Sequence, residues 1–450
     1  MRFKNNLKLI YFIILILLFI GTFVAVFEAE KIIYPQLNIM NKTIQKVADL
    51  KQTNKTPKLH VIYLGEVGFP FGLASIQKMI LISKALISDG AKVTVINRKG
   101  VFDADNPKDL PLEGNFEGIH YKYTSPSIYK PKGFVKRNIE KLKGIIGEFN
   151  YIRKLKKNNE LDAGIISCYH FGQVILYRMY SLFLGFPVVY NYVEMASAME
   201  HRRGVIRKIN DYLFEIILVG SMAGSLPISQ VLIENYKKIA PGKSYLKIPI
   251  LSDFEKFDIP KKEPEHPHFL YCGALDYKEV IDFVLKAYDQ LPSEMNTHLY
   301  LVLGGGSNET YEKLLAEIKT MKKAEMVKVI HNVPHAQIPV FYSQATALLI
   351  PMRPTVQDAA RFPHKIAEYV ASGNPMISVN YGEVAQYFTD GVDGLIAKDY
   401  KPDLYAEKMK FVLDHPEESK KIGVKGKELG LKEFNYLNYG SKLTSFLKNL

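Results

Sequence analysis

Short apolar runs alternate with amphipathic stretches along most of the chain. The first run, 59–64, is followed by a stretch, 74–88, whose apolar residues recur at helical spacing, and then by a second apolar run, 92–97. Runs of this length predict buried strands, and the stretch between them predicts an amphipathic helix. A strand, a helix and a strand at this spacing form a βαβ unit with two parallel strands.

The strand pattern recurs in both halves of the chain. Further strands are predicted at 163–168, 188–192, 224–228, 268–272, 298–303, 327–331, 347–350 and 375–379. A charged, proline-containing stretch at 254–268 separates the two groups of strands. We therefore predict an α/β protein with two doubly wound, Rossmann-like domains, 58–255 and 256–435, that face each other across a cleft. A last helix is predicted at 436–450.

The N-terminal segment 9–27 is uncharged and almost wholly apolar, and it is long enough to cross a bilayer as a helix. We predict a retained single-pass transmembrane anchor, 1–30, joined to the body by a polar stem, 31–57. A cleaved signal peptide is the alternative, but no clear cleavage site follows the apolar run. Lysines lie on both sides of the span, so the charge rule does not decide its orientation. We expect the body at the cytoplasmic face of the membrane.

Composition and net charge limit the classes of partner that the protein can be expected to bind. The 450 residues are 47% hydrophobic and 23% charged, which is typical of a globular protein. The net charge of +13 suits nucleic acid, an anionic membrane or anionic substrates. No nucleic-acid-binding motif is present, so we expect no nucleic-acid partner and favour the membrane and phosphorylated substrates. Cys168 and Cys272 each lie in a predicted strand, which favours buried thiols over a disulfide or a metal site.

The segment 362–377 carries the clearest candidate chemistry. It predicts a loop, a helix with Pro363 in its first turn, a glycine turn at Gly373 and a buried strand. Lys365 and Glu368 are three residues apart and therefore share one face near the positive end of that helix. A lysine at a helix N-terminus suits a phosphate, and a carboxylate one turn later can accept two hydrogen bonds from a sugar diol. The pair predicts a site for a nucleoside diphosphate with its ribose.

This segment resembles the donor-site signature of GT-B glycosyltransferases of the retaining family 4, in a variant that reads roughly F-P-x-K-hydrophobic-x-E-Y-hydrophobic-A-x-G-x-P-hydrophobic-I. The resemblance extends from about residue 59 to the C-terminus. It implies the GT-B fold, with a last helix that crosses back onto the first domain. It also implies transfer of a sugar from a nucleoside diphosphate sugar, with Lys365 on the diphosphate and Glu368 on the ribose.

Five further positions are similar to positions of that family. Gly72 lies in a glycine-rich loop after the first strand, and Gly273 and Lys278 match a glycine and a lysine of the family's diphosphate-binding segment. His170 lies at a strand end where the family often has a histidine that touches the transferred sugar. Glu194 lies where the family often has a histidine or an acidic residue facing the acceptor. The alternatives are a tight turn for Gly72, a structural role for His170 and a solvated surface position for Glu194.

Two charged residues of the family pattern are absent, and Glu279 stands where the family usually has a glycine. Ala274 stands where the family most often has an arginine that grips the diphosphate, and Arg353, after the strand at 347–350, could replace it. Ala360 stands where the family usually has the first of two glutamates. Asp358 lies close by in sequence and could substitute for that carboxylate.

The resemblance implies a hexosyltransferase that uses a nucleotide sugar as donor and needs no cofactor, and the apolar segment 9–27 predicts that it is anchored to a membrane. We expect a glycan or lipid-linked acceptor, as in polysaccharide biosynthesis or glycolipid assembly. Lys278, Arg353 and Lys365 would stabilise charge on the leaving diphosphate. We expect no metal site, because His331 and His335 have no acidic or cysteine partner. A GT-B sugar-nucleotide epimerase and a non-catalytic scaffold with the same fold are the two alternatives.

Overall fold

The structure is a computed structural model that describes residues 59–72, 74–199, 204–260, 264 and 266–450. These residues belong to one compact unit that begins at Pro57. The predicted anchor, 1–30, and stem, 31–57, lie outside the described residues. Within the described ranges, none of the helices combines the length and the apolar character needed to cross a membrane.

The first sheet contains eight strands in the order β3-β4-β2-β1-β5-β6-β7-β8. The strands are β1 (His60–Leu64), β2 (Lys92–Asn97), β3 (Glu113–Phe116), β4 (Ile119–Tyr123), β5 (Ala163–Ile166), β6 (Val188–Tyr192), β7 (Gly224–Pro227) and β8 (Ser244–Tyr245). Neighbouring strands are parallel except β3 and β4. All five residues of β1 are buried, as expected for an inner strand of a parallel sheet covered on both faces.

Five helices of nine or more residues accompany this sheet in the described part of the chain. They are α1 (Ala74–Ser88), α2 (Phe134–Lys157), α3 (Phe171–Leu184), α4 (Val205–Leu213) and α5 (Gln230–Ile239). A π-helical segment, Phe214–Leu218, continues α4. Helix α1 has the predicted bounds, and its residues Ile76, Met79, Ile80 and Leu86 are buried in the core beneath it because they recur at helical spacing.

The second sheet contains six parallel strands in the order β11-β10-β9-β12-β13-β14. Its strands are β9 (His268–Ala274), β10 (His298–Gly304), β11 (Val327–His331), β12 (Ala347–Ile350), β13 (Met376–Val379) and β14 (Leu395–Ala397). Its helices are α6 (Lys278–Asp289), α7 (Asn308–Ile318), α8 (Ile338–Gln344), α9 (Val356–Ala360), α10 (Lys365–Ser372), α11 (Val384–Tyr387), α12 (Pro402–Asp414) and α13 (Pro416–Glu433).

The last helix, α14 (Gly440–Lys448), follows a 3-10 turn, Tyr436–Tyr439, and lies against α1. Its residues Leu443 and Leu447 are buried in the core of the first sheet. Gly440 lies so close to α1 that a Cβ atom there would stand 2.5 Å from the carbonyl oxygen of Ala85. The first strand and the last helix of the described unit therefore both pack in the first domain.

In each sheet the strand order reverses between two neighbouring strands, β1 and β5 in the first sheet and β9 and β12 in the second. Doubly wound sheets bind ligands outside the carboxyl ends of their strands at such a switch point. The loops after β1, β5 and β12 contain Gly72, His170 and Arg353, and Lys278 begins the helix that follows the loop after β9. The predicted site residues therefore follow the strands at which ligands are expected.

Candidate active site

The loop after β1 lies directly against the loop after β5. Gly65 has a φ of +106°, and a Cβ atom there would stand 2.4 Å from the carbonyl oxygen of Ser167, so only glycine fits. The side-chain amide of Gln173 in α3 donates a 3.2 Å hydrogen bond to the carbonyl oxygen of Gly65. These contacts fix the two loops together at the first switch point.

Gly72 is exposed just before α1. A Cβ atom at this position would stand 2.4 Å from Cγ1 of Ile76, one turn into the helix. The glycine thus leaves room for the buried Ile76 side chain. Its predicted contact with the donor stays a prediction.

His170 is exposed and forms the N-cap position of α3 in an extended backbone conformation. Asn210 of α4 holds the backbone on both sides of it: Asn210 Nδ2 donates to the carbonyl oxygen of Tyr169 at 3.0 Å, and the N–H of Phe171 donates to Asn210 Oδ1 at 3.1 Å. The imidazole therefore stands at the first switch point on a braced loop, and its contact with a sugar stays a prediction.

Glu194 follows β6 and is half-buried. Its Oε1 accepts a 3.4 Å hydrogen bond from Nε2 of Gln357 in α9, which belongs to the second domain. The carboxylate therefore reaches across from one domain to the other. This position agrees with a residue of the cleft, and the predicted acceptor contact stays a prediction.

Helix α10 presents Lys365 as its first residue and Glu368 one turn later. The hydroxyl of Tyr342 donates a 3.2 Å hydrogen bond to Glu368 Oε2. Burial raises the pKa of the Cys272 thiol, and the nearby Lys365 ammonium opposes that rise, which places Lys365 close to the end of β9. Gly373 ends the helix with a φ of +73°, as predicted. The prediction that Pro363 lies in the first turn is wrong, because the helix begins two residues later.

Gly273 and Lys278 flank the turn after β9. A Cβ atom on Gly273 would stand 2.4 Å from the hydroxyl of Tyr271, so the glycine makes room for that ring. The Lys278 ammonium lies 2.6 Å from Asp282 and 2.5 Å from Glu317. Burial lowers the pKa of Lys278, but the hydrogen bonds to these two carboxylates outweigh burial and raise it. Lys278 is thus already paired with two carboxylates, and its predicted contact with a diphosphate stays a prediction.

Arg353 is buried and its guanidinium is bound by carboxylates. Its side chain donates to both oxygens of Asp358 at 3.3 and 3.0 Å and to Glu279 at 3.1 Å, and its own backbone N–H donates to Asp358 at 2.9 Å. Asp358 is also 2.8 Å from Arg361. The suggested substitutes for the two missing family residues therefore bind each other. They fold the segment between β12 and α10 instead of standing free for a ligand.

Neither the cysteines nor the acidic residues that the structure describes form a metal site. Cys168 and Cys272 are free and buried, as predicted. In the described part of the chain, no three His, Cys, Asp or Glu side chains are grouped so that they could hold a metal ion. That the reaction needs no metal and no cofactor stays a prediction.

The C-terminal half matches a known family. Residues 252–429 match the sequence model described as "Glycosyl transferases group 1". This region is a glycosyl transferases group 1 domain. Gly273, Lys278, Arg353, Lys365 and Glu368 all lie within the group 1 domain.

Curated relatives align with this chain over only part of their own length. A trehalose synthase from Pyrococcus horikoshii is 26% identical over 207 residues, which is 45% of this chain and 48% of the relative. A glycogen synthase from Thermus thermophilus is 30% identical over 142 residues, which is 30% of this chain and 29% of the relative. The chain thus spans about half, or less, of the length of the curated relatives that it matches.

Solved structures resemble almost the whole described unit. A sucrose-phosphate synthase from Thermosynechococcus elongatus has a TM-score of 0.65 at 15% identity, over 87% of this chain and 98% of that one. The Anabaena protein HepE, solved with UDP and glucose, has a TM-score of 0.63 at 14% identity, over 87% and 100%. At these identities the likeness concerns the fold, which is a GT-B-like pair of α/β domains with mainly parallel sheets.

Arg361 is a residue of the group 1 domain that the sequence motif did not reveal. Its guanidinium lies 5.0 Å from the ring centroid of Tyr277 and donates to the Tyr277 hydroxyl at 2.8 Å. Its Nε is buried and has no hydrogen-bond partner among the described residues. Arg361 lies four residues before Lys365, so it is a second cation beside the start of α10. Its contacts with Tyr277, 84 residues away in sequence, and with the buried Asp358 distinguish it from a surface arginine.

Ala360 lies at a contact between the two domains. The side chain of Ala360 is fully buried. Its carbonyl oxygen accepts a 2.6 Å hydrogen bond from the hydroxyl of Ser229, which caps α5 of the first domain. Next to it, Glu383 of the group 1 domain accepts a 2.6 Å hydrogen bond from the backbone N–H of Gln230. A glutamate at position 360 would have to enter this closed contact.

Lys78 of α1 is a buried lysine close to the start of α10. It is buried, and its ammonium has no hydrogen-bond partner among the described residues. Burial lowers the pKa of Lys78 to about 7. Burial, followed by the charge of Lys78, lowers the pKa of His364 to about 3. Helix α1 therefore approaches the residue that directly precedes α10.

Proposed function

We propose that this protein is a retaining, metal-independent glycosyltransferase that transfers a hexose from a nucleoside diphosphate sugar to a membrane-linked glycan or lipid. The observation that carries the proposal is the position of Lys365 and Glu368, one turn apart at the N-terminus of α10 inside the group 1 domain. HepE, which has a similar fold, was solved with UDP and glucose. That likeness supports a nucleotide sugar as donor.

The diphosphate would bind at the start of α10. The backbone N–H groups of a helix N-terminus attract an anion, and the Lys365 ammonium adds a full positive charge there. Arg361 supports the same site, because its Nε is still without a partner among the described residues. In this proposal Arg353 orders the segment through Asp358 and does not bind phosphate directly.

The ribose would bind to Glu368. Tyr342 fixes one carboxylate oxygen of Glu368 by its hydrogen bond. A carboxylate has about four lone-pair sites, so further hydrogen bonds from the two ribose hydroxyls can be accommodated. The spacing of one helical turn between Lys365 and Glu368, about 5 Å along the axis, places both next to one nucleotide.

In the proposed transfer, the bond between the anomeric carbon and the diphosphate oxygen breaks, and its electron pair leaves with the diphosphate. The acceptor hydroxyl oxygen forms the new bond to the anomeric carbon on the same face, and its proton passes to the leaving phosphate oxygen. Lys365, Arg361 and the α10 N-terminus stabilise the charge that develops on the phosphate. His170 and Glu194, at the first domain's edge of the cleft, would position the sugar and the acceptor.

The test is sugar transfer by the full chain, with labelled nucleotide sugars and lipid extracts as acceptors. The wild-type protein is expected to transfer one sugar, and Glu368→Ala is expected to lose most of this activity. Glu428→Ala, on the exposed side of α13, is the matched control and should keep it. Folded wild-type protein that binds a nucleoside diphosphate but transfers no sugar to any acceptor would contradict the proposal.

Two observations favour a non-catalytic scaffold as the second candidate. The closed contact at Ala360 and the absence of an arginine at Ala274 remove two groups that the family resemblance places near the donor. A scaffold would bind its partners equally well after Glu368→Ala. The transfer assay therefore distinguishes the two candidates.

A further inference from the structure

Large apolar side chains are exposed on two helices of the first domain. In the N-terminal half of α2 they are Phe134, Val135, Ile139, Leu142 and Ile146, and Phe134 is 80% exposed. In α4 they are Val205, Ile206, Ile209 and Tyr212, and Val205 is 74% exposed. We call these nine residues the apolar face. Groups of exposed large apolar side chains on a helix often mark an interaction site.

Both helices are attached at the ligand-binding edge of the first sheet. A Cβ atom on Gly144 of α2 would stand 2.0 Å from the carbonyl oxygen of Arg98, just after β2, so the helix touches the sheet there. The ten residues of α2 before Gly144 extend about 15 Å further, at 1.5 Å per residue. Helix α4 is tied to the same edge, because Asn210 holds the backbone on both sides of His170.

Helix α3 lies between the two and contacts both α2 and α4. The apolar face therefore flanks the loop that carries His170. Helix α13, on the group 1 domain, offers a contrast. It is longer than α4 but exposes only Val424 and Leu431 among its large apolar residues.

Positive charge accompanies the apolar face. The same stretch of α2 carries exposed Lys136, Arg137, Lys141 and Lys143, and α4 carries exposed Arg207 and Lys208. None of these six cations forms an ion pair within the described ranges. The acidic residues of the two stretches are Glu140, which is half-buried, and Asp211, which is buried. Apolar side chains interspersed with unpaired lysine and arginine are typical of helices that lie in the surface of an anionic bilayer.

We propose that the apolar face docks the first domain onto an anionic lipid bilayer. The apolar side chains enter the boundary between headgroups and acyl chains, and the six cations contact lipid phosphates. Docking here turns the edge with His170 towards the lipid surface, so that a lipid-linked acceptor reaches the cleft without leaving the membrane. This inference concerns the folded body and does not depend on the predicted anchor at 9–27 or on catalysis.

A fluorophore at a single position tests this directly in the full chain. The two native thiols are buried, so an exposed cysteine introduced as Leu142→Cys or Ile209→Cys can be labelled selectively. Val424→Cys, on α13, is the matched control at similar exposure. Labelled protein is mixed with vesicles of phosphatidylglycerol and phosphatidylcholine that carry nitroxide lipids. The probe reports one side chain, so insertion of another part of the chain cannot produce the signal.

The proposal predicts strong quenching by the nitroxide lipids at positions 142 and 209 and none at 424. It also predicts that quenching falls several-fold in pure phosphatidylcholine, and likewise when Lys136, Arg137 and Lys141 are changed to glutamine. Equal access of aqueous iodide to position 142 with and without vesicles would overturn it. Protection of position 142 from iodide in the absence of vesicles would also overturn the proposal. Protection that depends on protein concentration would indicate a second copy of the chain on the apolar face. Protection that does not depend on concentration would indicate that residues 1–58 cover it. Nucleotide binding, measured separately in detergent, is unaffected by either result.

Discussion

The hydroxyl of Ser229 donates a 2.6 Å hydrogen bond to the carbonyl oxygen of Ala360. The first residue caps a helix of the first domain, and the second ends α9 of the group 1 domain. The bond joins residues 131 positions apart and closes one side of the junction between the domains. The position at which the family resemblance expects a glutamate, residue 360, is filled by an alanine whose side chain is buried at this contact.

Ser229→Ala should therefore destabilise the protein more than the loss of a helix cap alone. Ser307 caps α7 in the same way but is exposed, so Ser307→Ala is the matched control. Loss of a cap costs about 1 kcal/mol in each variant. The lost bond to Ala360 adds about 1 kcal/mol in Ser229→Ala only. Unfolding in urea measures the difference, and equal losses in the two variants would mean that the contact between the domains contributes nothing.

Lys78→Met should stabilise the protein, and the gain should depend on pH. The pKa of Lys78 falls from 10.5 to about 7 on folding. Below pH 7 the lysine is charged in both states and burial of the charge is fully unfavourable. Between pH 7 and 10.5 the unfolded chain binds the additional proton, so the free energy of unfolding rises with pH. Above pH 10.5 the lysine is neutral in both states, so burying it no longer buries a charge.

The melting temperature of Lys78→Met should accordingly exceed that of the wild type at pH 6 by several degrees, and the difference should shrink by pH 10. Lys84→Met is the control on the same helix. The Lys84 ammonium lies 2.6 Å from Asp253, so its replacement should lower the melting temperature instead. A Lys78→Met variant that is less stable than the wild type at pH 6 would show that the ammonium has a stabilising partner.

Asp358→Asn should lower the free energy of unfolding by about 3–5 kcal/mol. The buried Arg353 would keep one carboxylate partner fewer, and Arg361 would lose the carboxylate with which it pairs. Asp105→Asn removes a carboxylate from an ion pair whose two side chains are both exposed, and it should change stability by less than about 1 kcal/mol. Calorimetry of both variants measures the contrast. A mild effect of Asp358→Asn would mean that the cluster does not order the segment before α10.

Sequence patterns predicted the parts of this structure that depend on neighbouring residues. The strands β1, β2 and β6, the helix α1 and the glycine that ends α10 follow from apolar periodicity and from backbone preferences. The one-turn spacing of Lys365 and Glu368 is likewise a local property of a helix. These features are readable because the residues that determine them lie within a few positions of one another.

Contacts between distant residues were beyond the reach of the sequence. Arg353 looked like a free cation after a strand, but burial beside Asp358 and Glu279 occupies it. Arg361 belongs to no sequence motif. Its contact with Tyr277 and its Nε, which has no partner among the described residues, are visible only in the structure. Strands β3 and β8 are short and poor in large apolar residues, so no periodicity marks them.

The most direct test of the central claim, that α10 holds a nucleoside diphosphate, is a thermal titration of the full chain in detergent. UDP, GDP, ADP and TDP are added in turn, with CMP as a monophosphate for comparison. A ligand at about 100 times its dissociation constant stabilises the folded state by about 2.7 kcal/mol. Lys365→Ala removes a charge-assisted contact of about 1.5–3 kcal/mol, which weakens binding about tenfold to a hundredfold. Lys425→Ala, on the exposed side of α13, is the control. We expect one diphosphate to raise the melting temperature of the wild type and of Lys425→Ala, and to raise that of Lys365→Ala by about half as much or less at the same concentration. A well-folded wild type that responds to none of the nucleotides, or a Lys365→Ala variant that responds fully, would contradict the account.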